Sequence, residues 1–241
     1  MRFEDFVYPP HGARLAEAYE SRFESVFIVL HPFVSVPAEV SWKATRKYPD
    51  DEQITAWGTK YRWSEVAGEI GLSSCARMNQ ALLSATGAVS GDLADAAGCH
   101  ALQDFLETRP IWMPVEGRFE PLLQPDFLQV FENASLEELI FVPEFTESQP
   151  VVRLSIAGLK DGSIPFPTCG TLLAPDGLFL FTVDWDSFFT LFYGPRAFLN
   201  EMTRGLCLEG FFATANTDHA WWNYSMGCAT VTISPEDWQN T

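Results

Sequence analysis

Residues 171–183 read TLLAPDGLFLFTV, with an apolar run on each side of the tetrapeptide Ala174-Pro175-Asp176-Gly177. Proline holds φ near the value that a turn needs, and glycine supplies a positive φ without steric cost. The stretch therefore predicts a β-hairpin with strands at residues 171–173 and 178–183.

Outward from this hairpin, apolar periodicity and capping residues predict the other elements. Ser64, Ser73 or Ser74, and Ser90 each precede a helical pattern, and Gly71 is a typical helix stop. The remaining predicted strands are 26–30, 111–119, 139–145, 151–156, 206–212 and 229–233. The predicted helices are 14–23, 65–70, a segment from 74 to 83, 92–108, 125–131, 188–193 and 195–204.

This order of elements predicts the α+β class, with helices mainly in the first half and an antiparallel or mixed sheet mainly in the second half. The sequence has no internal repeat, no low-complexity segment and no clear linker. We therefore expect a single α+β domain over residues 1–241.

Charge and composition exclude several classes of protein. The chain has 15 Lys and Arg against 32 Asp and Glu, a formal net charge of −17, and residues 121–241 alone carry −11. A field of this sign repels phosphates and anionic lipids and attracts cationic proteins or metal ions. We expect neither nucleic acid nor a membrane as a partner, and the 47% hydrophobic content excludes a disordered acidic protein.

The cysteines and the N-terminus indicate a cytoplasmic location. The five cysteines form no CxxC pair, and the first six residues contain acids where a signal peptide needs an apolar run. Free thiols in a reducing compartment are the expected state. The cysteines are Cys75, Cys99, Cys169, Cys207 and Cys228.

The first candidate site is Asp184-Trp185-Asp186-Ser187. If the strand from residue 178 continues, both carboxylates point to one face, where they can share a cation or act as an acid and a base. The alternative is structural: Asp186 or Ser187 caps a helix over 188–193, and Asp184 is a solvated residue at the strand end.

The second candidate site combines Glu209, His219, Trp221 and Trp222. A histidine next to Asp218 can be a base or a metal ligand, and exposed tryptophans can anchor a partner. The alternative is a structural histidine among core tryptophans. The candidate binding residues from both segments are Asp184, Trp185, Asp186, Glu209, His219, Trp221 and Trp222.

The other histidines show no pattern that indicates a catalytic or metal-binding role. No two of the four histidines have the spacing of metal ligands, so we expect no histidine-based metal centre and no cofactor. His31 is expected at a strand exit with its imidazole bonded to a carbonyl, and His100 is expected to be buried on a helix, facing away from Cys99. Phosphate-loop, dinucleotide, zinc-protease and serine-hydrolase motifs are absent.

Four short strings carry a resemblance that covers most of the chain. The strings 30–33 (LHPF), 184–189 (DWDSFF), 209–212 (EGFF) and 219–222 (HAWW) together resemble an uncharacterised bacterial family of unknown function. The resemblance implies no catalytic residue. In style, the acidic, Trp-rich α+β pattern is similar to immunity proteins of bacterial toxin systems, which implies an acidic surface that inhibits a basic toxin.

Three hypotheses follow from the sequence. The leading one is a non-enzymatic, immunity-like module of the bacterial cytoplasm that binds a basic protein. The alternative is a small hydrolase or metal-assisted enzyme in which Asp184, Asp186, Glu209 and His219 converge on one pocket. The third is a structural domain whose acidity serves solubility alone.

Overall fold

The computed structural model describes residues 2–37, 48–144 and 149–223, and two antiparallel sheets organise this part of the chain. Within these ranges three short 3-10 helices, the longest over Leu15–Ser21, accompany the main elements. The strands are β1 (Ser25–Leu30), β2 (Phe33–Ser35), β3 (Thr59–Tyr61), β4 (Ile111–Trp112), β5 (Glu138–Val142), β6 (Val152–Ser155), β7 (Gly170–Leu173), β8 (Leu180–Val183), β9 (Phe189–Gly194) and β10 (Gly210–Phe212). The α-helices are α1 (Asp51–Trp57), α2 (Trp63–Ile70), α3 (Cys75–Thr86), α4 (Ala96–Glu107), α5 (Gln124–Asn133), α6 (Ile156–Lys160) and α7 (Arg196–Gly205).

The larger sheet has seven strands in the order β10-β1-β9-β8-β7-β5-β6, and the smaller has three in the order β3-β2-β4. Every pairing between named strands is antiparallel. In the part of the chain that the structure describes, four α-helices precede residue 121, and six strands of the larger sheet follow residue 137. The predicted α+β class is therefore confirmed.

Helices cover both faces of the larger sheet, and β1 shows how. Val26, Ile28 and Leu30 pack in one apolar cluster with α2, α3 and α4, whereas Phe27 and Val29 pack in a second cluster with α5, α6 and α7. Alternate residues of a strand point to opposite faces, so an uninterrupted apolar run buries both. The sheet is thus the middle of three layers.

The hairpin predicted around Pro175 is present. Leu173 of β7 lies opposite Leu180 of β8, and the Gly177 N–H donates to the Ala174 carbonyl oxygen at 2.8 Å. Gly177 has a φ of +75°, as its place in the turn requires.

Several helix ends also follow the sequence signals. The Ser74 hydroxyl accepts a hydrogen bond from the Arg77 N–H at the start of α3, and Gly71 ends α2 with a φ of +74°. The third predicted helix starts later than expected, because Asp95 caps α4 by accepting from the Gly98 N–H, and Ser90 instead precedes a 3-10 turn. The segment at 15–21 is a kinked 3-10 helix rather than a regular helix.

The helix predicted over 188–193 is wrong, because this segment is the strand β9. It lies between β1 and β8, and all six of its residues are buried. A short apolar run that is buried on both faces has no periodicity that separates a strand from a helix. As a result, neither Asp186 nor Ser187 caps a helix.

Other sequence expectations have mixed outcomes. The His31 ring is buried, and its Nδ1 lies 3.0 Å from the Val115 carbonyl oxygen, as expected. His100 is exposed on α4, so its predicted burial is wrong. The four cysteines in the described ranges form no disulfide, and the predicted strand at 229–233 lies outside those ranges.

No helix in the described ranges has both the length and the apolar composition needed to cross a bilayer.

Candidate functional site

The connection between β8 and β9 presents two carboxylates. The strand ends at Val183, so it does not continue through Asp184 as the sequence suggested. Instead the chain turns, with the Ser187 N–H donating to the Asp184 carbonyl oxygen at 3.3 Å. A residue outside the turn also stabilises it, because the Gly117 N–H donates to the Ser187 carbonyl oxygen at 3.0 Å. The turn brings the Asp184 and Asp186 side chains to the same place.

Two remote segments pair next to this turn. The Leu15 N–H donates to the Thr217 carbonyl oxygen at 2.9 Å, and Arg14 forms an isolated antiparallel bridge with Asp218. The pairing places His11, which precedes it, beside His219, which follows it.

Four side chains meet where these segments converge. His11 Nε2 lies 2.9 Å from Asp184 Oδ2, and His219 Nε2 lies 3.8 Å from the same oxygen. His219 Nε2 also lies 3.6 Å from Asp186 Oδ1. Each residue offers one potential ligand atom, and all four atoms lie within 4.8 Å of one another. We call His11, Asp184, Asp186 and His219 the four-residue cluster.

The four-residue cluster is buried on one side and open on the other. The Asp184 and His219 side chains are 6% and 12% exposed, whereas the His11 side chain is 51% exposed. A solvent molecule or a ligand can therefore approach past His11.

Tyr8 sets the orientation of the inner histidine. Its hydroxyl lies 2.8 Å from His219 Nδ1, so Nε2 is the nitrogen that faces the two carboxylates. Burial raises the pKa of Tyr8 well above its usual value, which keeps the phenol neutral. When the phenol oxygen accepts a hydrogen bond from Nδ1–H, the lone pair of Nε2 is available to a metal ion.

Burial shifts two pKa values in the cluster toward the neutral forms. The pKa of Asp184 is raised to about 7, first by burial and then by hydrogen bonding with Asp186 and its negative charge, with His11 opposing. The pKa of His219 is lowered to about 4, first by burial and then by the charge of His11. Strongly shifted groups that share one location are typical of functional sites.

A cavity of about 210 Å³ adjoins the four-residue cluster, and we call it the adjoining cavity. Its polar lining includes His11, Asp186, His219 and Asn79. Asn79 is 1% exposed, and its Oδ1 has no hydrogen-bond partner in the described part of the chain. The Oδ1 atom of Asp186 is likewise buried without a hydrogen bond there.

The structure brings together three of the four residues predicted to converge. Glu209 lies elsewhere: its carboxylate accepts hydrogen bonds from the Trp63 and Ser64 N–H groups at 2.7 and 2.9 Å. It therefore caps α2, which begins at Trp63, and Ser64 is not the cap that the sequence indicated.

His11 takes the fourth place and was missed by the sequence analysis. It lies in a Pro-Pro-His-Gly segment that matches no metal-binding motif. The expectation of no histidine-based metal centre rested on the spacing of histidines along the chain. That premise does not hold in space, because the pairing of Leu15 with Thr217 brings His11 and His219 together.

Two of the three candidate tryptophans are not on the surface. Trp221 and Trp222 are buried, and Trp221 packs edge-to-face against Phe211 and Phe189. Their predicted role as surface anchors is therefore wrong, because both rings pack in the apolar cluster on one face of the larger sheet. Trp185 is 64% exposed at the turn.

The comparisons with known proteins agree with the resemblance found in the sequence. The model of the family DUF2711, described as a protein of unknown function, matches residues 11–223, a range that includes the whole four-residue cluster. The uncharacterized protein YwbB of Bacillus subtilis (strain 168) is 20% identical over 225 residues, which cover 90% of this chain and 99% of that protein. No solved structure matches the chain.

Proposed function

Since the chain belongs to the DUF2711 family, whose function is unknown, we propose from the geometry that this protein binds a divalent transition metal ion at the four-residue cluster and uses it for hydrolysis. The observation that carries the proposal is the convergence of four potential ligand atoms within 4.8 Å of one another. It replaces the set with Glu209 that the sequence suggested.

The donor types and their separations support zinc or a similar ion. Imidazole nitrogens and carboxylate oxygens are typical zinc ligands, with bond lengths of about 2.0–2.2 Å. In a tetrahedral site such bonds place neighbouring ligand atoms about 3.3 Å apart. The Nε2 atoms of His11 and His219 lie 2.9 and 3.8 Å from Asp184 Oδ2, on either side of this value.

The roles of the residues follow from their surroundings. His11, Asp184 and His219 would hold the ion, and a water molecule would reach it from the open side, past His11. The ion would lower the pKa of this water, and Asp186, whose Oδ1 accepts no hydrogen bond in the described ranges, would take its proton. Addition of the hydroxyl group to the electrophilic carbon of the substrate would break the bond to the leaving group, and Asp186 would return the proton to that group.

Metal titration tests the binding step. Chelator-treated protein is titrated with Zn²⁺ by calorimetry, and with Co²⁺ by visible absorption, which reports a tetrahedral site. We expect one ion per chain and a loss of affinity of at least about 100-fold in Asp184→Asn and His219→Ala. The matched controls are His100→Ala and Asp176→Asn, both exposed and outside the cluster. Equal affinity in all variants, or no stoichiometric binding, overturns the proposal.

A second variant tests the hydrolytic step. Asp186→Asn is expected to keep Zn²⁺ binding within about tenfold and to lose zinc-dependent turnover of a panel of small amides and esters. Turnover that is independent of zinc, or unchanged in Asp186→Asn, contradicts the assigned roles.

Binding of a basic protein is the second candidate function. It is supported by the net charge of −17 and by the exposure of Trp185, since exposed tryptophans lead among interface anchors. A co-purified partner that Trp185→Ala releases, and that the matched exposed variant Leu178→Ala retains, supports this function. Retention in both variants contradicts it.

A further inference from the structure

We propose that the adjoining cavity is the substrate pocket of this site, and that it takes a compact, uncharged molecule with an N–H or O–H donor and a short apolar end. The inference rests on the metal site proposed above. It adds the class of substrate, which the four-residue cluster by itself does not define.

The size of the adjoining cavity limits the ligand. Its volume is about 210 Å³, which is below the range of roughly 300–1,000 Å³ that is typical of pockets for drug-sized ligands. A small organic molecule therefore matches its size.

The lining of the adjoining cavity has two different walls. His11, Asp186 and His219 form the polar wall, so a ligand in the cavity meets the proposed metal directly. The rest of the lining is mainly apolar and comes from α3, the loop after it, β9 and the segment after β10. Its apolar residues include Leu83, Val89, Phe189 and Trp222. A ligand with a reactive polar group at one end and a short apolar group at the other matches both walls.

Asn79 determines the polar group that the ligand carries. Its side chain is 1% exposed, and its Oδ1 accepts no hydrogen bond in the described ranges. Buried polar atoms almost always have a partner, and an unpaired one is unfavourable. Asn79 lines the cavity, so a small rotation of its side chain would let an N–H or O–H group of the ligand supply this partner.

The charge of the site disfavours an anionic ligand. Asp186 lines the cavity and Asp184 lies beside it in the four-residue cluster, and one divalent ion balances their charges without leaving excess positive charge. Glu116 adds a further half-buried carboxyl, whose pKa is raised first by burial and then by the charge of Asp186. An anionic substrate would lack a cationic partner here, whereas an amide or an alcohol meets no such penalty.

Primary aliphatic amides are the probes for this pocket, and methyl ketones of equal length are the matched probes without an N–H donor. Dissociation constants for acetamide, butyramide and hexanamide are measured by ligand-detected NMR, with Zn²⁺-loaded and with chelator-treated protein. We expect affinity to rise about tenfold from acetamide to butyramide and to fall again for hexanamide, because the cavity is then full. Each amide is expected to bind at least about fivefold more tightly than its ketone.

Three variants locate the binding. Ala88 lines the cavity but is exposed, so Ala88→Trp is expected to fold normally. The larger side chain narrows the cavity and is expected to remove the gain in affinity from acetamide to butyramide. Asn79→Leu keeps the size of the side chain and removes the acceptor, so it is expected to make amides and ketones equal. Leu178→Trp, an exposed substitution in the hairpin turn, is the control and is expected to change nothing.

The outcomes separate this inference from the metal proposal. Three results would each overturn the pocket, whether or not Zn²⁺ binds. They are an affinity that does not depend on chain length, equal binding of amides and ketones in the wild type, and unchanged binding in Ala88→Trp. Amide binding that persists in chelator-treated protein while Zn²⁺ fails to bind supports the pocket and overturns the metal site.

Discussion

The imidazole rings of His11 and His219 stack in parallel, with centroids 4.0 Å apart and 2° between their planes. Both rings direct Nε2 toward Asp184, at 2.9 and 3.8 Å from its Oδ2. Two imidazolium ions stacked in this way would repel each other, and burial together with the charge of His11 lowers the pKa of His219. The inner histidine, His219, is thus held in the neutral form, in which histidine binds metals.

Metal affinity is expected to depend on pH through Asp184. Its pKa is raised to about 7, so below pH 7 the metal must displace a proton from the carboxyl. The apparent Kd for Zn²⁺ should fall by up to about tenfold per unit as pH rises from 6 to 7, and level off above 8. Competition titrations with a chromophoric chelator across this range measure it. An equal Kd at pH 6 and pH 8 would contradict the role of Asp184.

Gly117 is expected to be required for the shape of the turn. A Cβ atom there would lie 2.0 Å from the Trp185 carbonyl oxygen, and the φ of Gly117 is +72°. Gly117→Ala should therefore shift the turn, weaken Zn²⁺ binding by at least about tenfold and lower the free energy of unfolding by about 1–3 kcal/mol. Calorimetry and urea unfolding measure the two effects.

The control for Gly117 is Gly68→Ala in α2, where a Cβ atom has nothing within 4 Å. This variant should keep the Zn²⁺ affinity and gain about 0.5–1 kcal/mol of stability from helix propensity. The same loss of Zn²⁺ affinity in both variants would argue against the contact with Trp185.

Glu209 is expected to affect stability and not metal binding. Its carboxylate accepts from two N–H groups at the start of α2, so Glu209→Ala leaves both without this acceptor. We expect a loss of about 1–3 kcal/mol in urea unfolding, with a smaller loss in Glu209→Gln and an unchanged Kd for Zn²⁺ in both. A loss of Zn²⁺ binding without a loss of stability would show that Glu209 contributes to the metal site and would contradict its assigned role as a helix cap.

Glu120 is expected to destabilise the fold as pH rises. It is fully buried, and burial raises its pKa from 4.5 to about 7, with hydrogen bonds from the Leu122 and Val115 N–H groups opposing. A group whose folded pKa lies above its unfolded pKa contributes stability that is complete below the unfolded value and is lost as pH rises through the folded value. Between pH 4.5 and 8 the loss is about 1–3 kcal/mol.

Glu120→Gln isolates this effect, since glutamine keeps an acceptor oxygen and does not titrate. The difference in unfolding free energy between variant and wild type should increase by about 2 kcal/mol in favour of the variant from pH 4.5 to pH 8. Urea unfolding at pH 4.5, 6 and 8 gives the difference. If the unfolding free energies of the variant and the wild type differ by the same amount at all three pH values, the pKa of Glu120 does not change on folding.

Local signals were enough to predict much of the fold. The hairpin at Pro175 and Gly177 and the cap at Ser74 depend on residues within a few positions of one another, so the sequence contains all the atoms involved. The helix prediction for residues 188–193 was wrong because this segment becomes a strand only through its pairing with β1 and β8. A central strand and a buried helix present the same run of apolar residues.

The sequence by itself determined the class, the acidic charge and the proximity of Asp184 to Asp186, since each follows from composition or from neighbours in the chain. Tertiary structure alone decided that His11 joins His219, that Glu209 leaves the site to cap α2, and that Trp221 and Trp222 are buried. The reason is physical: these arrangements depend on contacts between residues distant in sequence. Such contacts form only when the sheet and its covering segments pack, and no short-range pattern encodes them.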